Sequence, residues 1–309
     1  MSIFQNRRLF PYLAVIPPIV WGLPYAFIKM GMDEFGIGSG DTAAKILFAG
    51  IRFLLAGLIV LLCLYLPSVR RTDMAQRGAA AGGRGKLLLL LVLYALVNTT
   101  LHYIFFYIGL SNSPGSRSSV LNSLGTFLLV LLSCAVFASE QLTAAKVLGC
   151  VIGFAGILLL NAGGDLSGQV KLSGDGMIVL NAVCSAIAGL LTRVLGRKMN
   201  VLLMTGAGMT LGSVPMIAIG LAAGGRFGAV TAKGLLILAL LVAVSVVAFS
   251  VYNTLLKYHP VGKVAIFNSL IPIFGILASC FFLREPFYFR YFAAAVLVCA
   301  GVAVINREK

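Results

Sequence analysis

Long uncharged stretches alternate with short polar gaps along the whole 309-residue chain. Ten runs carry few or no charges: Leu9–Ile28, Ile46–Val69, Leu87–Gly109, Ser118–Phe137, Val147–Gly163, Gly176–Thr192, Met199–Ala222, Gly234–Leu256, Val264–Leu283 and Tyr291–Asn306. Crossing a hydrocarbon core about 30 Å thick takes roughly 20 apolar residues in a helix. Inside a bilayer each backbone polar group must be satisfied within its own segment, which selects helix. The pattern predicts an all-α polytopic membrane protein with ten transmembrane helices. Membrane-spanning strands would alternate in polarity, and these runs do not, so a barrel is excluded. Arg52 is the one charge inside a run.

Composition agrees: 60% of residues are hydrophobic and 11% charged, against about 25% charged in soluble chains. Too little charge is present to coat a water-facing surface, which argues against a soluble enzyme, a disordered chain or a secreted disulfide scaffold. All six cysteines fall inside apolar runs without a CxxC pair, and with only His102 and His259 no zinc ligand set forms. We expect no metal and no cofactor. The net charge of +15 sits in the gaps between runs, where the positive-inside rule accounts for it better than nucleic acid does. Placing the N-terminus in the cytoplasm gathers most of the 24 basic residues on that side. A multi-pass protein of a bacterial-type cell (inner) membrane is expected, with both termini cytoplasmic and a Gly/Ala/Arg-rich cytoplasmic loop at 67–86. Leu9–Ile28 is too long for a signal-peptide core of about 7–15 residues and reads as a retained first transmembrane helix.

The chain repeats itself. Pro114-Gly-Ser-Arg-Ser-Ser-Val-Leu-Asn-Ser-Leu124 and Pro260-Val-Gly-Lys-Val-Ala-Ile-Phe-Asn-Ser-Leu270 share Pro, a basic residue and Asn-Ser-Leu at an offset of 146 residues. Glu140, Ala155-Gly156 and Asn161 return as Glu285, Ala300-Gly301 and Asn306 at an offset of 145. Residues 1–163 and 172–309 therefore read as two five-helix repeats. Five is odd, so the second copy enters the membrane in the opposite sense. Inverted pairs of this kind recur in secondary transporters, with the substrate site near the midplane between the halves.

Trp21-Gly22 in the first run, Arg52-Phe53 in the second, Pro272 in the ninth, Leu283-Arg284-Glu285 before the last and the closing Gly301 carry a further resemblance. Over nearly its whole length the chain resembles the drug/metabolite transporter superfamily, specifically the ten-helix EamA-type members. The resemblance implies an inverted-repeat transporter of small metabolites, often an amino-acid or metabolite exporter. It also implies a cavity lined mainly by helices 1, 3, 4, 6, 8 and 9, with helices 5 and 10 at a dimer-like periphery. Two positions depart from the pattern: Thr126 stands where the counterpart of Pro272 would be, and Ser185-Ala186 where a second Trp-Gly-like pair would be.

Polar groups at mid-span are costly and face a cavity or another helix. Those near the run centres are Trp21, Tyr25, Asn98, His102, Tyr103, Asn122, Thr126, Asn181, Ser185, Ser245, Asn253, Asn268 and Ser269, and all but Thr126 are taken as candidate substrate contacts. Asn98 and His102, four apart, share a helix face; they serve a substrate or an interhelical hydrogen bond. Asn122 and Asn268 are repeat mates. Lys29 and Arg193 are either a basic pair guiding an anion or C-terminal cations complementing helix dipoles. Arg52 is read as snorkelling or structurally paired, with substrate contact as the alternative. Glu140 and Glu285 are expected to cap the helices that follow them, Tyr252 and Tyr258 to anchor at the interface, and Pro24 and Pro272 to kink their helices into opposite gates.

No Asp or Glu lies inside any run, which disfavours an organic-cation substrate. The expectation is a non-enzymatic secondary transporter of small neutral, zwitterionic or mildly anionic metabolites, amino-acid-like export first, working by alternating access. An organic-anion or phosphorylated-metabolite exchanger built on basic residues is the alternative. The expected partners are a small-molecule substrate and the lipid bilayer, with neither nucleic acid nor an obligate protein partner.

Overall fold

A computed structural model describes residues 3–6, 8–64, 84–138, 140–159, 171–260, 264, 267–268 and 270–305. The elements among them are all helical. Ten segments follow the ten apolar runs: α1 (Phe10–Glu34), α2 (Thr42–Cys63), α3 (Gly85–Asn112), α4 (Gly115–Val136), α5 (Ala144–Leu159), α6 (Leu172–Gly196), α7 (Val201–Ala222), α8 (Ala232–Tyr258), α9 (Ile271–Leu283) and α10 (Phe289–Ile305). Seven are long and apolar enough to cross a membrane, while α5, α9 and α10 are shorter apolar helices of 16, 13 and 17 residues. The expected loop at 67–86 and the repeat mates Asn161 and Asn306 fall outside the described residues, apart from 84–86, which are helical and lead into α3.

Helix starts follow local chemistry. The Asp41 carboxylate accepts from the Ala44 amide at 2.9 Å to cap α2. Asn200 Oδ1 accepts from Leu202 and Leu203 at 2.8 and 3.1 Å to cap α7, and Thr231 Oγ1 from Gly234 at 2.8 Å to cap α8. Each cap satisfies an otherwise orphaned amide and is worth about 1 kcal/mol.

Several helices are interrupted where they cross the middle of the bundle. α1 breaks at Leu23, between Gly22 and Pro24, because proline lacks an amide proton and clashes with the preceding turn. α4 breaks at Ser123, directly after Asn122. α3 carries a π-helical turn over Leu96–Leu101, between Ala95 and His102, and α6 opens with another over Leu172–Gly176. Such turns free backbone groups and re-aim side chains, and they concentrate at functional sites.

Packing pairs helices five apart in the order. α2 lies along α7 and α5 along α10. Exchanging each helix with the one five places away also relates other contacts: α1–α8 to α3–α6, α1–α9 to α4–α6, and α2–α8 to α3–α7. Both main seams need glycine. A Cβ on Gly57 would strike Thr210 of α7, with the Thr210 nitrogen 2.7 Å away. One on Gly301 of α10 would strike the Gly149 carbonyl of α5, with the Gly153 nitrogen at 2.7 Å. Small residues let helices approach this closely. The buried interior is strongly aromatic, with Tyr25, Phe48, Phe53, Tyr103, Phe106 and Tyr107 in one cluster. Leu55, Leu58, Ile59 and Leu62 of α2 and Leu235, Leu236 and Leu240 of α8 point outward and are exposed, as a hydrocarbon solvent allows.

Candidate functional site

A cavity of about 110 Å³ lies inside the bundle, walled by α1, α2, α3, α4, α6 and α8, by Asn268 ahead of α9 and by Ile271 at its start. Nine of the sequence-predicted residues line it: Trp21, Tyr25, Asn98, His102, Tyr103, Asn122, Ser185, Asn253 and Asn268. The interrupted segments of α1, α3 and α4 bring Trp21, Tyr25, Asn98, His102 and Asn122 onto its wall. Aromatic contacts stiffen one side. The Trp21 ring meets Phe249 and Tyr252 edge-on at centroid distances of 5.1 and 4.9 Å.

The remaining predicted residues sit elsewhere. Asn181 stands behind the wall: its Nδ2 donates to Asn122 Oδ1 at 2.6 Å, and Asn122 Nδ2 donates to the Tyr25 hydroxyl at 2.9 Å. This relay ties α6 through α4 to α1. Ser245 lies behind Arg52. Ser269 is outside the described residues. Lys29 is ion-paired with Glu285 at 3.5 Å and Arg193 with Glu140 at 2.7 Å, and neither lines the cavity.

Among the described residues Arg52 is the one charged side chain in the wall. It is 1% exposed. Its Nε donates to the Leu241 carbonyl at 3.2 Å and to Ser245 Oγ at 3.1 Å, and its Nη1 donates to the Tyr107 hydroxyl at 3.1 Å. Among the described residues no carboxylate pairs with it. The reading of Arg52 as snorkelling is therefore corrected: the side chain runs inward. His102 Nδ1 is likewise buried and meets no hydrogen-bond partner among the described residues. Asn253 Nδ2 donates to Thr205 Oγ1 at 2.9 Å and to the Tyr94 hydroxyl at 3.3 Å, which joins α8 to α7 and α3.

The two ends of the bundle are held by different carboxylates. At one end Glu285 accepts from the amides of Gly115 and Ser116 at 2.8 and 3.1 Å and from the Ser116 hydroxyl at 2.9 Å. It therefore caps α4, not the following α10 as expected. Beside it Arg117 pairs with Asp175 at 2.6 Å, and Ser113 Oγ donates to Asp175 at 3.0 Å. At the other end Glu140 pairs with Arg193 at 2.7 Å and Lys146 at 3.4 Å. The cavity is displaced toward the Glu140 end: on α6 it is lined by residues from Ser185 to Thr192, on α8 from Phe249 to Asn253.

Sequence reasoning missed Ser119, Ser123, Thr192, Phe106 and Tyr252 as lining residues. Ser119 and Ser123 flank Asn122 within one turn in either direction, so helical spacing could have found them. Tyr252 had been placed at the interface, and its neighbour Asn253 was the available signal. Among the described residues no group of three or more His, Cys, Asp or Glu could hold a metal ion.

A model of the EamA-like transporter family matches residues 10–162 and 172–307. The chain is 26% identical to the uncharacterized transporter YvbV of Bacillus subtilis (strain 168), covering 94% of this chain and 89% of that one. It is 24% identical to a probable amino-acid metabolite efflux pump of Salmonella typhimurium (strain LT2), covering 95% and 93%. The inner membrane transporter YedA of Escherichia coli (strain K12), also uncharacterized, is 27% identical over 69% of this chain and 64% of its own. A solved crystal structure superposes with a TM-score of 0.70 at 16% identity, covering 97% of both chains; it speaks to the fold.

Proposed function

The chain belongs to the EamA-like transporter family, and from that premise we propose that it is a secondary transporter of small neutral, zwitterionic or mildly anionic metabolites, with amino-acid-like export as its function. The observation that carries the reading is the cavity itself: hydroxyls, amides, an imidazole and aromatic faces surround it, with a single cation and no carboxylate among the described residues of its wall. An organic cation would find no opposite charge there. The similarity to a probable amino-acid metabolite efflux pump points the same way. Lys29 and Arg193, on which an organic-anion exchanger would rest, each hold a carboxylate outside the cavity.

In this reading residues 1–163 and 172–309 are inverted repeats, and substrate passes between them by alternating access. The reciprocal pairing of helices five apart supports it. So does the displacement of the cavity toward one end, which suits a single state of an alternating cycle. The N- and C-termini face the cytoplasm, and the Glu140 end, toward which the cavity lies, is the cytoplasmic one. The test is counterflow in proteoliposomes with labelled neutral L-amino acids and with tetraphenylphosphonium as a cation. Saturable amino-acid exchange without cation flux is expected; cation flux without amino-acid exchange would overturn the substrate class.

A further inference from the structure

Among the described residues no carboxylate neutralises the charge of Arg52. Its three acceptors, Leu241, Ser245 and Tyr107, are all neutral oxygens. The nearby rings of Phe53 and Tyr103, 4.9 and 5.9 Å from the guanidinium carbon, add cation–π attraction but no formal charge. A guanidinium has five N–H donors and does not deprotonate in proteins, and none of these bonds uses Nη2. Glu34, Glu140, Asp175 and Glu285 are engaged with other cations, and Asp41 caps α2.

A buried cation without a counterion is costly, and this one borders a cavity that can hold a small molecule. A helix staple between α2, α3 and α8 would need donors alone, which a neutral side chain could supply. We propose that Arg52 is the receptor for the substrate's carboxylate, which makes the cavity a site for carboxylate-bearing small molecules and excludes the matching amides and amines. The proposal rests on the transporter reading above and names the group by which its substrate is recognised. The bound carboxylate replaces the missing counterion through charge-assisted hydrogen bonds, the strongest class available to arginine. The rest of the ligand lies against Trp21, Phe106, Phe249 and Tyr252, and the unpartnered His102 Nδ1 offers a second polar contact.

Trp21 is the only tryptophan of the chain and lines the cavity, so its fluorescence reports occupancy directly. The probes are L-phenylalanine, 3-phenylpropanoate, L-phenylalaninamide and phenethylamine, which share one ring and differ in carboxylate and ammonium. On the purified protein the two acids should bind at least about tenfold more tightly than the amide and the amine. Arg52→Gln should lower acid affinity to that of the amide and leave the amide unchanged, and Arg52→Lys should fall between. Equal binding of acid and amide, or unaltered acid binding in Arg52→Gln, would overturn the role of Arg52 while leaving the transporter reading in place. Silence from all four probes would overturn the amino-acid-like reading and this proposal together. If Arg52→Gln does not fold, the four probes on the unaltered protein still decide.

Discussion

Glu285 and Glu140 occupy equivalent places in the two sequence repeats, yet they do different work. Glu285 reaches across to α4 and satisfies two backbone amides and a hydroxyl there, with Lys29 as its cation. Glu140 bonds two cations, Arg193 and Lys146. Next to Glu285 a second, deeply buried pair, Arg117–Asp175, ties α4 to α6. The sequence before Asp33 contains no acid, so the start of α1 has no counterpart for Asp175, which opens α6. The Glu285 network thus takes in backbone amides, whereas the ion pairs of Glu140 join side chains alone. Matched positions of the sequence repeat thus hold the bundle in two different ways.

The strongest way to break that comparison is at Asp175. Its pair with Arg117 is almost fully enclosed, the side chains being 9% and 4% exposed. Removing one partner of a buried pair costs about 3–5 kcal/mol, because the other charge stays behind. Asp175→Asn should lose stability by that amount in detergent, followed through Trp21 fluorescence on unfolding. A loss no larger than that of a surface charge would mean that the Glu285 end is not the firmer one.

Glu285→Gln comes next. The amide side chain keeps one acceptor oxygen but loses the charge that strengthens three hydrogen bonds and the contact with Lys29. Hydrogen bonds to charged groups contribute about 1.5–3 kcal/mol, so a loss of about 2 kcal/mol is expected in the same unfolding measurement. Glu140→Gln should cost less, about 1 kcal/mol, since Arg193 retains its place over the Phe137 ring at 4.5 Å and no backbone amide is orphaned. Equal losses at the two glutamates would erase the distinction. The ion pair of Glu34 with Lys233, whose lysine is 65% exposed, is the control, and Glu34→Gln should leave the unfolding curve in place.

Much of the architecture was legible because lipid imposes a simple rule. Ten uncharged runs became ten apolar helices, and nine of the twelve proposed substrate contacts line one cavity. The misreadings have physical causes. Counting from Ile46, where the apolar run begins, puts Arg52 close to a helix end. The Asp41 cap starts α2 at Thr42 instead, with Lys45 Nζ bonded to the Ser39 carbonyl, and this places Arg52 in mid-helix, too deep to snorkel. The break in α4 at Ser123 has no proline to announce it. The capping of α4 by Glu285 links residues 169 and 170 positions apart, which local pattern cannot express.

The smallest effect has the opposite sign. Arg284, between α9 and Glu285, has φ 54° and ψ 30°, the left-handed conformation that ends a helix, and it is the one non-glycine residue with positive φ among those described. A side chain in that region costs roughly 1–2 kcal/mol, which is why glycine is usual at this position. The turn directs the next residue, Glu285, back toward the α4 N-terminus. Arg284→Gly removes the steric penalty and adds freedom to the unfolded chain, so the gain should be about 0.5 kcal/mol. If the strained turn holds Glu285 in place, Arg284→Gly and Glu285→Gln will not be additive: once the carboxylate is gone, relaxing the turn has nothing left to position. A double-mutant cycle on the unfolding transition reads this directly. Strict additivity would separate the turn from the seal and leave Arg284 as ordinary helix-end geometry.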